Sequence, residues 1–249
     1  MYGDKAVNCR LVVAGKKDAT VALDMISLFP HDTYKGHGLR KDLAEAIAEL
    51  KPKFVRFPGG CMSHGQGIDN IYHWNHTIGP LQDRKPDKNI WNYHQTRGLG
   101  FYEYFQMCED MGAEPLPVLA AGVPCQNSRA NAEGYGGQQG GIPMSEMPAY
   151  CQEILDMIEW ANGDPATSKW AKMRADAGHP APFNLKYVGV GNEDLISTDF
   201  EDRYLMICKA IKAKYPNIIV CGTVGPFHNP SSDYIEGWKF AKQHSDVID

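Results

Sequence analysis

Gly191-Asn192-Glu193 are the residues best placed to do chemistry, because they follow an apolar run from Leu185 to Val190. That run has the length and composition of a buried strand. A carboxylic acid at the carboxyl end of such a strand can protonate a leaving group, and an amide beside it can bind a hydroxyl, as in (β/α)8 glycosidases. The tripeptide also fits a helix N-cap, with Asn192 or Asp194 as the capping residue and Glu193 favouring the helix dipole. The tripeptide alone leaves both interpretations open.

The elements around this tripeptide alternate between strands and helices, as in α/β proteins with a mostly parallel sheet. The patterns predict strands at 54–57, 116–121, 185–190 and 218–221, and helices at 39–50, 100–111, 150–160 and 200–214. Residues 246–249 have the pattern of a fifth strand at its start. We therefore expect a (β/α)8 TIM barrel that is incomplete in this chain. Residues 11–13 and 20–29 predict a β-hairpin, so a short β segment precedes the barrel.

Two long connections follow predicted strand ends, where a barrel builds its active site. Residues 61–99 are rich in Trp, His and Asn, and residues 123–148 are rich in Gly and Gln. Because these loops take up much of a length that is ordinarily enough for a barrel, we expect the chain to be part of a larger protein. Trp74 in the first loop is interpreted as a stacking wall for a sugar rather than a core residue. The nearby histidines are interpreted as solvated polar residues; they are His64, His73 and His76.

The composition excludes several classes of protein. The chain has 249 residues, of which 43% are hydrophobic and 22% charged, as in an ordinary globular domain. Its net charge of −5 argues against a nucleic-acid partner. No apolar run reaches the roughly 20 residues of a membrane span, and the amino terminus does not resemble a signal peptide. The seven cysteines show no metal-binding spacing, so we expect neither a metal site nor a cofactor.

Five motifs in order resemble family 51 glycoside hydrolases, which are retaining α-L-arabinofuranosidases. They are LDMISLFP (23–30), FVRFPGGC (54–61), TIGPLQDR (77–84), GLGFYEYFQMCEDMGAEPLPV (98–118) and MRADAGHPAPFNLKYVGVGNED (173–194). The resemblance is to the longer branch, in which a β-sandwich carbohydrate-binding-like module is inserted before the first of these motifs. It implies that residues 1–30 are the tail of that module and residues 31–249 a partial catalytic barrel, from about strand 2 to the start of strand 6. It also favours a periplasmic or secreted location.

The resemblance implies roles for individual residues. Glu193 matches the general acid/base, which protonates the departing oxygen and then activates water. Asn192 matches the amide that binds the sugar 2-hydroxyl. Arg56 matches an arginine that holds the catalytic carboxylates, and its place in a strand predicts that it is buried and paired. Cys61 stands where shorter members carry an asparagine that touches the sugar, and it is kept as a substrate-binding candidate.

The second carboxylate of a retaining enzyme is the part that this chain lacks. The family places this nucleophile on the seventh strand, and no other predicted strand of the chain ends in Asp or Glu, so we expect it beyond residue 249. The full protein is expected to release terminal non-reducing α-L-arabinofuranosyl residues from polysaccharides and oligosaccharides that contain arabinose. Residues 1–249 alone are expected to be inactive and to associate.

Two alternatives are open. One is a related barrel glycosidase of the endoglucanase type, which FPGGC and TIGPLQDR disfavour. The other is a sugar-binding protein without turnover. Homo-oligomerisation of the full protein is also left open.

Overall fold

The computed structural model describes residues 10–24, 26–126, 128, 138, 140–223, 225 and 232–249. Its strands are β1 (Phe54–Phe57), β2 (Asp87–Lys88), β3 (His94–Gln95), β4 (Glu114–Leu119), β5 (Tyr187–Val190) and β6 (Ile219–Cys221). Its helices are α1 (Lys41–Glu49), α2 (Gly60–His64), α3 (Phe101–Met111), α4 (Met147–Asn162), α5 (Lys169–Asp176), α6 (Thr198–Lys214) and α7 (Ser232–Gln243).

Four strands form one parallel sheet in the order β1-β4-β5-β6. Helices connect each of these four strands to the next one in the sheet, so the chain repeats the β-α-β unit that the sequence predicts. The short strands β2 and β3 pair antiparallel within the long loop after β1. Because parallel strands share one direction, the carboxyl ends of β1, β4, β5 and β6 meet at one edge of the sheet, here called the carboxyl edge; the opposite edge is called the amino edge.

The core lies between this sheet and the helices on one side of it. Helix α4 buries residues at three- and four-residue spacing, which places them on one face. They are Met147, Tyr150, Cys151, Ile154, Met157, Ile158 and Ala161. Cys108 of α3 and Cys151 of α4 are buried, and burial raises the pKa of Cys108 to about 12 and that of Cys151 to about 11. The outer strands are less covered, since Phe54 in β1 is 57% exposed.

The predicted β-hairpin near the amino terminus is wrong for the residues described. Residues 10–24 and 26–30 form a turn at Lys17 and Asp18 but no strand, and all of them are exposed. Two short strands on their own have neither a sheet nor a helix to cover their apolar side chains. The assignment of residues 1–30 to a separate module stays a prediction.

The chain passes alongside β6 where a fifth strand is predicted to start. The Asp249 amide donates to the Val220 carbonyl at 3.2 Å, and the Asp249 carboxylate accepts from the Val220 amide at 2.8 Å. These contacts do not extend into a strand within residues 246–249. Among the described residues, no helix is both long and apolar enough to cross a membrane.

Candidate active site

The turn from Gly191 to Asp194 follows β5 at the carboxyl edge and has an unusual backbone. Gly191 has a φ of 80° and Glu193 a φ of 51°, both in the left-handed region. The Asp194 carboxylate accepts a hydrogen bond from the backbone amide of Asn192 at 2.8 Å. A Cβ atom at Gly191 would overlap that carboxylate, which requires glycine there. The turn therefore presents Asn192 and Glu193 at the sheet edge.

Helix α6 begins later than the N-cap interpretation of this turn requires. Its N-cap is Ser197, whose hydroxyl accepts from the Phe200 amide at 3.3 Å. Asn192 and Asp194 do not cap the helix, so the capping interpretation is wrong. The Glu193 side chain is left free to face the carboxyl edge.

Three side chains from three strand ends surround the exposed Glu193 carboxylate. Its Oε2 atom lies 3.2 Å from Gln126 Nε2, 3.4 Å from Asn192 Nδ2 and 4.0 Å from Cys61 Sγ. Cys61 follows β1, Gln126 follows β4 and Asn192 follows β5. Sequence reasoning missed Gln126, which lies in a Gly-rich connection with no recognisable motif.

Arg56 reaches the same turn from β1. Its Nη2 atom donates to Asn192 Oδ1 at 2.5 Å. The expectation that Arg56 is buried is wrong, because β1 is an outer strand of the sheet and Arg56 is exposed. Its hydrogen-bond partner in the described residues is an amide, not a carboxylate.

A buried pair, His64 and Asp194, lies beneath the turn. The distance from His64 Nε2 to Asp194 Oδ1 is 3.6 Å, and both side chains are 0% exposed. Burial raises the pKa of Asp194 well above its usual range, while burial and the nearby Arg56 charge lower the pKa of His64 to about 4. The interpretation of His64 as a solvated loop residue is wrong. Its position three residues after Cys61, on the same face of α2, is the signal that was available.

The alpha-L-arabinofuranosidase 1 domain model matches residues 46–247, which include every one of these side chains. The chain belongs to this family. An extracellular exo-alpha-L-arabinofuranosidase from Streptomyces chartreusis is 43% identical over 94% of this chain. Alpha-L-arabinofuranosidase 1 from Arabidopsis thaliana is 38% identical over 91% of it. The chain spans only 28% and 32% of the lengths of these two relatives.

Solved structures of the family have the same fold. An arabinose-bound α-L-arabinofuranosidase called MgGH51 superposes with a TM-score of 0.68 and 37% identity, over 80% of this chain and 30% of that one. The enzyme from Thermotoga petrophila gives 0.60 and 26%, over 86% and 38% of the two chains. These matches confirm the prediction of a family 51 member with an incomplete (β/α)8 barrel.

Trp74 is not available to a sugar in this family member, so its prediction as a stacking wall is wrong. Its side chain is 0% exposed and lies against Trp160 and Trp170, at ring distances of 5.9 Å and 5.1 Å. Its indole donates to the Glu153 carbonyl at 2.8 Å. The exposed aromatic residues of that loop are Trp91 and Tyr93, between β2 and β3, at 56% and 69% exposure.

Proposed function

We propose that the protein containing this chain is a retaining α-L-arabinofuranosidase with Glu193 as its general acid/base. Its substrates are polysaccharides and oligosaccharides with terminal non-reducing arabinofuranosyl groups. The observation that carries the proposal is the position of Glu193: an exposed carboxylate at the carboxyl edge, surrounded by Cys61, Gln126 and Asn192, within a matched arabinofuranosidase domain.

Each site residue has a part in the proposed reaction. The Glu193 carboxylic acid gives its proton to the glycosidic oxygen as the bond from that oxygen to the anomeric carbon breaks. A second carboxylate bonds to the anomeric carbon and holds the sugar as an ester. Glu193 then takes a proton from water, whose oxygen displaces that carboxylate. The Asn192 amide, held by Arg56 through its oxygen, can donate from its nitrogen to the sugar 2-hydroxyl.

The second carboxylate is proposed to lie beyond residue 249. At the carboxyl edge of the described residues, the strand-end segments 58–61, 120–126, 191–194 and 222–223 contain only two carboxylates, Glu193 and Asp194. Asp194 is fully buried and holds the turn, so it does not face a substrate. In the same proposal, residues 1–249 alone do not turn over arabinofuranosides.

The test uses the full-length protein and its Glu193→Ala variant. Loss of a general acid typically costs about 10²- to 10⁴-fold in rate, so hydrolysis of an arabino-oligosaccharide is expected to fall by that amount. An aryl substrate with a good leaving group needs no proton, so its glycosylation step is spared. Azide is then expected to speed turnover and give a glycosyl azide of retained configuration.

Glu114→Ala is the matched control, because Glu114 lies at the amino edge, where it pairs with Lys186. This variant is expected to keep wild-type turnover on both substrates. Equal loss on both substrates without an azide product would remove Glu193 from the acid/base role. A wild-type protein that binds arabino-oligosaccharides without cleaving them would identify a sugar-binding protein instead.

A further inference from the structure

Three successive residues of the turn after β5 each contact one residue of the β1–α2 segment. The contacts are Arg56 Nη2 to Asn192 Oδ1 at 2.5 Å, Cys61 Sγ to Glu193 Oε2 at 4.0 Å, and His64 Nε2 to Asp194 Oδ1 at 3.6 Å. Strand β4 lies between β1 and β5, so these contacts join two strands that are not neighbours in the sheet. The turn is therefore oriented by α2 as well as by its own strand.

The His64–Asp194 contact is the only one of the three that no solvent reaches. Both side chains are 0% exposed, whereas Glu193 beside them is exposed. A buried side chain cannot turn freely, so the position of Asp194 is fixed by its packing and by His64. A substrate at the carboxyl edge would meet Glu193 and not the pair beneath it.

Asp194 uses its two oxygens for two different connections. Oδ2 accepts a hydrogen bond from the backbone amide of Asn192 at 2.8 Å, which closes the turn. Oδ1 faces His64 on α2. The carboxyl group also fills the space beside the Gly191 Cα atom. One side chain thus joins the backbone of the turn to the helix that carries Cys61.

We infer that His64 and Asp194 are positioning residues, which fix the direction of the Glu193 carboxyl and the Asn192 amide without touching the substrate. This inference rests on the function proposed above. Without the pair, the turn is free to rotate, and proton transfer depends on the distance and direction of Glu193. Loss of the pair should therefore weaken acid catalysis more than it weakens steps that need no proton.

The experiment compares two substrates in the full-length protein: methyl α-L-arabinofuranoside, a poor leaving group, and the 2,4-dinitrophenyl arabinofuranoside, a good one. Asp194→Ala and His64→Ala are each expected to reduce kcat/KM for the methyl glycoside about tenfold or more beyond the loss on the aryl one. Asp194→Asn keeps an acceptor for the backbone amide of Asn192. It is expected to recover most of the extra loss on the methyl glycoside. His64→Phe fills much of the same space and replaces His64→Ala in the comparison if that variant fails to fold.

Arg174→Lys is the control for damage that is merely structural. Arg174 is 0% exposed and bonds to backbone carbonyls near the carboxyl end of α4, at the amino edge. This variant is expected to lower Tm while leaving the ratio of the two kcat/KM values unchanged. If the Asp194 and His64 variants also leave that ratio unchanged in an active wild type, the inference is wrong and the proposed function stands. If the wild type hydrolyses neither substrate, the proposed function fails and the inference fails with it.

Discussion

Buried polar groups at the two edges of the sheet are bonded to very different extents. At the amino edge, the fully buried Arg174 donates to the carbonyls of Trp160, Ala161, Gly163, His179 and Pro180. At the carboxyl edge, both ring nitrogens of His64 and the Oδ1 atom of Asp194 lack a hydrogen bond within the described residues. Saturated bonding stabilises a fold, whereas incomplete bonding is retained where a residue serves a purpose other than stability. The comparison assigns stability to the amino edge and chemistry to the carboxyl edge.

Arg174→Ala tests the amino edge and should have the largest effect on stability. It removes a donor from five carbonyl groups, of which that of Ala161 keeps the Phe183 amide as a second donor, and we expect a loss of about 3 kcal/mol or more in the free energy of unfolding. Activity per folded molecule should stay unchanged. Lys172→Ala in the same helix is the control, since its ion pair with Asp176 is exposed. Denaturant titration and turnover of the same samples measure both quantities, and a large loss of turnover in folded Arg174→Ala would end the proposed division.

Arg56→Ala tests the carboxyl edge. It removes the donor that holds the Asn192 side-chain amide in place, and a misplaced binding group costs on the order of 100-fold in rate, so kcat/KM should fall roughly 10- to 150-fold. Stability should change by less than about 1 kcal/mol, because an exposed arginine contributes little to folding. Arg56→Lys keeps the charge and is expected to recover part of the rate. A variant with lower Tm and unchanged kcat/KM would reverse the assignment.

The pH dependence of stability tests the His64–Asp194 pair, and its sign follows from a proton count. The unfolded histidine titrates near pH 6.5 and the unfolded aspartate near pH 3.9, whereas in the folded protein the pKa of Asp194 is raised and that of His64 is about 4. The raised pKa of Asp194 makes stability fall as the pH rises from about 3.9 toward that pKa, whereas the lowered pKa of His64 makes stability fall as the pH drops from about 6.5 to about 4. Each group contributes a slope of at most about 1.4 kcal/mol per pH unit, and the two slopes oppose each other where they overlap.

Asp194→Asn should remove the slope of Asp194 and leave that of His64 unopposed. His64 alone stays neutral when folded down to about pH 4, so the variant should lose stability as the pH falls from about 6.5 toward that value. The Arg56 charge opposes protonation of His64, and the Glu193 charge opposes ionisation of Asp194. Both Arg56 and Glu193 are therefore left unchanged in the two proteins that are compared. Thermal unfolding of the wild type and the variant from about pH 5 to about pH 8 measures the difference. Parallel profiles would show that the pKa of Asp194 is not raised in the folded protein.

Gln126→Ala should have the smallest effect. It removes one neutral donor to Glu193, worth about 0.5–1.5 kcal/mol, so kcat/KM should fall roughly two- to tenfold. Gln152→Ala is the matched control, since that glutamine bonds Asp156 on an exposed part of α4. Steady-state kinetics give kcat/KM for the two variants. Equal values for Gln126→Ala and Gln152→Ala would remove Gln126 from the site.

The sequence predicts the order of strands and helices because that order follows from local periodicity. The burial of individual loop residues does not follow from local periodicity, as Trp74 shows. The rings that cover Trp74 belong to Trp160 and Trp170, which follow it by more than eighty residues. Only the folded chain brings such residues together, so position in a loop does not predict exposure.

The candidate site divides in the same way. Glu193 and Asn192 were identified because they follow a recognisable strand and a family motif. Burial of Arg56 was predicted wrongly, because local sequence does not indicate that β1 is an outer strand. Gln126 carries no local signal of its contact with Glu193, and the spacing of His64 from Cys61 indicates a shared helix face but not the contact with Asp194, since both contacts cross between separate strand ends.

The left-handed backbone of Glu193 has a consequence for directed evolution. A non-glycine residue with a φ of 51° costs about 1–2 kcal/mol that glycine would not. We therefore expect selection for heat resistance alone to favour Glu193→Gly, which relieves this cost and removes the proposed acid. A library screened in this way would lose the proposed catalytic carboxyl in its most stable variants, so turnover has to be selected in the same round.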